Sequence, residues 1–133
     1  LLPILTMLQF TKGGPIIAFQ VENEYGSTEK PGKFAPDKVY LQQLRELMLN
    51  NGIVELLVTS DSPSMHKTAG TLPGVFLQTA NFGSNPEVDF LMLKLLQPGR
   101  PIMAMEFWTG WFDHWSEKHH TRSDEDFYNV YER

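Results

Sequence analysis

Four short apolar runs recur along this chain, and each closes on polar or charged residues. Ile16 to Val21 leads into Glu22-Asn23-Glu24, and Ile53 to Thr59 leads into Ser60-Asp61. Val75 to Thr79 leads to Asn81, and Pro101 to Met105 leads into Glu106. Apolar runs of this length, bounded by Gly, Pro and Asn, read as buried strands. Helical spacings separate them. Asp37 is placed to cap a helix that runs to about Asn51, with Val39, Leu41, Leu44, Leu47 and Met48 on its apolar face and Asn51-Gly52 as its stop. Asn85-Pro86-Glu87 opens another helix that ends before Pro98-Gly99. Ser123 with Asp126 has the form of a capping box for a last helix, Asp124 to Arg133. Leu1 to Phe10 has a spacing closer to helix than strand and reads as the end of a helix whose beginning is missing.

Strands that alternate with helices form parallel sheets joined by crossovers. Polar residues at the same end of successive parallel strands mark a common face for a site. A barrel or a doubly wound sheet would both supply that face. The glycine-rich phosphate fingerprint of nucleotide-binding sheets follows none of the four strands.

Charge and length narrow the function classes. A chain of 133 residues holds one domain at most, and a net charge of −5 offers no basic patch for nucleic acid. No apolar run is long enough to span a membrane. The chain has no cysteine, so disulfides and thiolate metal sites within it are excluded. His114, His119 and His120 read as solvated loop residues, because adjacent histidines point different ways on any regular element and no tight carboxylate spacing completes a ligand set. No metal and no cofactor is expected.

Glu24 and Glu106 each follow an apolar strand directly, so a parallel sheet brings both to one rim. A strand-end Glu is more often ion-paired or solvated than catalytic, and clustered aromatics are more often core than ligand platform. Two carboxylates across one pocket nevertheless match the needs of glycoside hydrolysis, with one protonated to donate and the other ionised to attack. Mutual charge helps to split their roles. Phe107, Trp108, Trp111 and Trp115 around the second carboxylate suit the apolar face of a sugar ring.

Longer matches sharpen this. Gly13-Gly14-Pro15-Ile16-Ile17-Ala18-Phe19-Gln20-Val21-Glu22-Asn23-Glu24-Tyr25-Gly26 resembles the signature of the family 35 glycoside hydrolases, the lysosomal-type β-galactosidases. Ala104 to Trp115, with Glu106-Phe107-Trp108-Thr109-Gly110-Trp111 at its centre, resembles the region around that family's nucleophile. The resemblance covers nearly the whole chain, in the family's order. It implies an α/β fold that is part of a (β/α)8 TIM barrel, about strands four to seven with their helices. It implies a retaining mechanism with Glu24 as acid/base and Glu106 as nucleophile. Asn23 would hold the sugar 2-hydroxyl, and Trp111 would help to wall the sugar pocket. Glu22 belongs to the motif in a supporting place. The substrate implied is a terminal β-galactoside, and the location implied is lysosomal or secreted. Where the family has Glu-Phe-Tyr-Thr-Gly-Trp, this chain has Trp108 for the tyrosine, which removes a hydroxyl and enlarges the ring.

A complete barrel of this kind needs about 250 residues. The expectation is therefore that residues 1–133 are one part of a single catalytic barrel, truncated at both ends, and inactive alone. Two outer strands would then lack neighbours. The alternative reading is a catalytically silent isoform or paralogue that binds galactosides or regulates. A β-glucosidase and an independent flavodoxin-like anion-binding domain are weaker alternatives.

Overall fold

The computed structural model describes residues 1–133. The four apolar runs form strands β1 (Ala18–Gln20), β2 (Leu56–Asp61), β3 (Leu77–Phe82) and β4 (Ala104–Phe107). All three pairings are parallel, and the strand order follows the sequence, β1-β2-β3-β4. Four strands in unbroken order without a reversal belong to a singly wound sheet. A doubly wound sheet reverses its order at the switch point. The sheet curls into a half-barrel with helices, a partial TIM barrel. β1 and β4 each have one neighbouring strand.

The helices lie where the spacing places them. They are α1 (Leu2–Thr6), α2 (Lys38–Asn50), α4 (Pro86–Leu96) and α5 (Asp124–Tyr131), with a short α3 (Pro63–His66) between β2 and β3 that no apolar spacing marks. The Asp37 carboxylate accepts from the amides of Val39 and Tyr40 at 2.8 and 3.3 Å, which satisfies two of the orphan donors at the start of α2. Ser123 accepts from the Asp126 amide at 3.1 Å at the start of α5. α1 is shorter than the apolar spacing predicts, because the chain leaves the helix after Thr6 and makes a 3-10 turn at Phe10–Lys12. No helix is long and apolar enough to cross a membrane.

Two apolar layers hold helices to the sheet. Phe19 and Val21 of the β1 segment and Leu57 of β2 pack with Leu41 of α2, Ile53 and Phe76. Ala80 and Phe82 of β3 pack with Leu93 of α4, joined by Phe90, Ala104 and Phe107. Burying one such side chain fully is worth about 1.5–3 kcal/mol. Gln9 is a fully buried amide that clips the entry of β1 to β2. Its nitrogen donates to the carbonyls of Thr6 and Gly52 at 3.0 and 2.9 Å, and its oxygen accepts from the amides of Val54 and Glu55 at 2.7 and 3.2 Å.

β2, β3 and β4 lie further along the chain than their apolar runs do. Ser60, Asp61 and Asn81 are inside strands, where the sequence places them at strand ends or beyond. Pairing explains the difference. Ser60 and Asp61 lie opposite Thr79 and Ala80 in the ladder, and all four are buried. Their polar atoms find lateral partners, so the sheet continues through them.

Candidate active site

The polar ends of β1, β2, β3 and β4 meet on one rim. At the end of β1 the backbone turns sharply, because both Glu22 and Glu24 take positive φ (64° and 49°). Each such residue costs about 1–2 kcal/mol when it is not glycine. Three contacts hold the turn. The Tyr40 hydroxyl on α2 donates to the Glu22 carboxylate. The Glu24 amide donates to the Ser60 carbonyl at 2.9 Å, and the Gly26 amide donates to the Asp61 carboxylate at 2.7 Å. The bond to Glu22 is the main reason that the Tyr40 phenol titrates above its ordinary value. Glu22, part of the motif with only a supporting place in the sequence reading, is thus an anchor between the β1 turn and α2. The Gln20 amide adds to it, donating to the Glu22 carbonyl at 2.8 Å and to the Asn23 side-chain oxygen at 3.0 Å.

Asp61 supports the same turn from below. It is 3 % exposed, and its carboxylate also accepts from the Ser62 amide at 3.2 Å. Burial pushes its pKa up; the Gly26 bond, nearby His66 and the Ser62 bond pull the other way, and Glu24 adds to the rise. Gly26 and Gly70 both pack on it so closely that neither leaves room for a Cβ. The loop carrying Gly70 is held in turn by Lys38, whose ammonium donates to the carbonyls of Thr68, Ala69 and Thr71.

Glu106 lies within β4, and its aim depends on an irregularity. Ala80 pairs with Ala104, but the next rung pairs Asn81 with Glu106 and the next Phe82 with Phe107. Met105 is therefore an extra residue in β4, a β-bulge. A one-for-one register would have placed Glu106 opposite Phe82, on the face that packs against α4 and α5. Phe82 and Phe107 take that face instead, with ring centroids 5.2 Å from Phe90 and 5.3 Å from Phe127 respectively. The bulge turns Glu106 to the other face, beside Asn81. The Trp108 indole N–H donates to Glu106 Oε2 at 2.9 Å. Asn81 Nδ2 donates to Glu24 Oε1 at 3.1 Å.

The sequence-selected residues come together unequally. Glu24 and Glu106 are half-buried on the same rim, linked through Asn81. Asn23 is exposed beside Glu24, with its side-chain oxygen held by Gln20. Trp111, 51 % exposed, sits edge-on to Trp108 with centroids 5.1 Å apart. Those two indoles help line a cleft of about 450 Å³ with Gly83, Arg122 and Asp126. A second cleft of about 260 Å³, lined by Ser62, Asn81, Asp89 and Trp108 among others, adjoins it. Neither carboxylate lines either cleft; Trp108 lines both and touches Glu106. Trp115 is fully exposed and apart from this cluster. The Nδ1 atoms of His119 and His120 both meet the Asp113 carboxylate, at 2.6 and 2.9 Å, and hold its pKa below the usual range. Asn81 was noted in the sequence only as a polar strand end. The signal that singles it out, contact with Glu24 and a shared rung with Glu106, is tertiary.

A singly wound parallel half-barrel with two half-buried carboxylates on its C-terminal rim has the arrangement that a glycosidase barrel requires. Residues 1–133 match the family described as glycosyl hydrolases family 35, and the chain belongs to that family. Among its relatives, beta-galactosidase-1-like protein 3 of Rattus norvegicus is 46 % identical over 92 % of this chain and 18 % of its own length. Beta-galactosidase-1-like protein 2 of Homo sapiens is 45 % identical over 84 % of this chain and 17 % of its own length. Beta-galactosidase of Homo sapiens is 39 % identical over 91 % of this chain and 18 % of its own length. The chain thus spans about a fifth of the length of the curated relatives it matches.

Proposed function

We propose that these residues are strands four to seven of one glycosidase barrel, and that the completed barrel is a retaining exo-β-galactosidase. The observation that carries this reading is the placement of Glu24 and Glu106 on one rim, joined through Asn81. In the proposed reaction Glu106 attacks the anomeric carbon while Glu24 donates a proton to the leaving oxygen. A covalent glycosyl-enzyme forms and the aglycone departs. Glu24 then takes a proton from water, which attacks the anomeric carbon and frees Glu106. Asn23 is assigned to the 2-hydroxyl, where a hydrogen bond strengthens as the oxocarbenium ion develops. Trp111 is assigned to the wall of the sugar pocket, on the side where it meets Trp108 edge-on. The names of the relatives support a β-galactoside as substrate, and a lysosomal or secreted location is proposed on the family resemblance alone.

The two clefts beside Trp108 leave both carboxylates outside their walls, which supports a further assignment. The remaining barrel strands supply the rest of the pocket, and residues 1–133 alone do not turn over substrate. The test uses the full-length protein that carries these residues, with an aryl β-galactoside. Turnover with retention of anomeric configuration is expected, with loss of about 10⁴-fold or more in Glu106→Gln, since removing a covalent nucleophile removes the pathway. Inversion, or activity that survives Glu106→Gln, refutes the assignment.

A further inference from the structure

Asn81 is the buried polar side chain that the two-carboxylate chemistry leaves without a task. It is 1 % exposed. Its oxygen accepts from the Ser60 hydroxyl at 2.7 Å, and its nitrogen donates to Glu24 Oε1 at 3.1 Å. Ser60 in turn takes the Glu24 backbone amide on its carbonyl at 2.9 Å, so Ser60, Asn81 and Glu24 close a ring of three hydrogen bonds. The carboxylate of Glu24 only accepts when ionised, so the NH₂ end of Asn81 faces it and Oδ1 turns to the Ser60 hydroxyl. The Ser62 hydroxyl fixes the backbone of the same residue, donating to the Asn81 carbonyl at 3.1 Å.

This arrangement has a chemical consequence for Glu24. An amide N–H has no lone pair to offer, so Glu24 Oε1 is held as an acceptor. A proton carried by Glu24 therefore resides on Oε2. We infer that Asn81 is a positioning residue that selects the proton-bearing oxygen of the acid/base, and that Ser60 holds the Asn81 side chain in place through its bond to Oδ1. This inference rests on the glycosidase reading and deepens it. In the first half-reaction the O–H bond at Oε2 breaks as a proton passes to the leaving oxygen. In the second, Oε2 regains a proton from the attacking water. Asn81 exchanges no proton in either step. Its shared rung with Glu106 sets the two carboxylates in one frame, since the strand that carries the bulge opposite Asn81 also aims the nucleophile.

The role predicts a dependence on the leaving group. General acid catalysis matters for a poor leaving group and little for one that departs unaided. In the full-length protein, Asn81→Leu should lower kcat/KM for phenyl β-galactoside about 10- to 100-fold. The same variant should leave 2,4-dinitrophenyl β-galactoside within about threefold, because that aglycone needs no proton. Glu106→Gln should abolish both. If Asn81→Leu does not fold, Ser60→Ala supplies the same test, with a smaller fall confined to the phenyl substrate. Equal losses on the two substrates, or none, overturn the inference and leave the glycosidase reading intact. A parent protein that cleaves neither substrate refutes the glycosidase reading, and the inference falls with it.

Discussion

Gly26 sits two residues after Glu24, and a single methyl group there tests how the proposed acid/base is held. The Cβ of Gly26→Ala would lie 2.5 Å from the Asp61 carboxylate oxygen and 2.8 Å from His66 Cβ. Ordinary contact begins near 3.4 Å, so the strand turn and Asp61 must separate by about 0.9 Å. The hydrogen bond from the Gly26 amide to Asp61, 2.7 Å long, then stretches beyond bonding range. Losing a hydrogen bond to a charged group costs about 1.5–3 kcal/mol, and overpacking costs about 1–3 kcal/mol. The variant is therefore expected to lose about 3–5 kcal/mol of stability. A shift of 1 Å near a catalytic group can cost about 100-fold, so kcat should fall on that scale in molecules that remain folded. Gly32→Ala is the control. Unlike Gly26 it takes a positive φ of 72°, but nothing lies within 4 Å of its Cβ, so only the backbone penalty of about 1 kcal/mol applies. Denaturant unfolding and steady-state kinetics of the full-length protein measure both effects. If Gly26→Ala stays within 1 kcal/mol and threefold of the parent, Asp61 does not support the Glu24 turn.

Two further outcomes test separate parts of the site. Trp108→Phe keeps an aromatic ring over Gly83 but removes the N–H that donates to Glu106 Oε2, and kcat/KM should fall about 10-fold or more with little change in Tm; unchanged kinetics would show that the indole only fills space. Asp61 gives a pH signature. Its folded pKa is raised by burial above its ordinary 3.8, so the folded state holds that proton more tightly than the unfolded state does. Its contribution to stability is complete below pH 3.8 and is lost as pH rises through the raised folded value. Asp61→Asn should remove that decline from a plot of unfolding free energy against pH. It should also lower stability throughout, because one amide oxygen replaces two acceptors for the Gly26 and Ser62 N–H groups. A decline that persists in the variant assigns it to another group.

Much of this protein is legible without coordinates, because its architecture rests on local rules. Apolar runs bounded by Gly and Pro become strands, and Asp37 and Ser123 cap helices with their own side chains. The order of strands and helices follows from the alternation. Glu24 and Glu106 stand out in sequence because a carboxylate at the end of an apolar run has left the environment that formed the run. Motif order adds the family. All of these depend on neighbours along the chain.

Which way each group points was not legible, since it depends on neighbours across the sheet. Strand ends moved into the polar segments because Ser60, Asp61 and Asn81 could satisfy one another and the β1 turn laterally. Glu106 faces the site through one extra residue in β4, and no spacing in the sequence marks Met105 as that residue. The αL turn at Glu22 and Glu24 persists against its own cost because Tyr40, Ser60 and Asp61 hold it from two other elements. Asn81 acquires its importance only by touching Glu24 from a strand 57 positions away in sequence. The sequence by itself determined the order of strands and helices and singled out Glu24 and Glu106 as the candidate carboxylates. The tertiary structure decided which face of the sheet Glu106 takes and which buried amide meets Glu24, because register, bulges and lateral hydrogen bonds are properties of paired strands and not of any one segment.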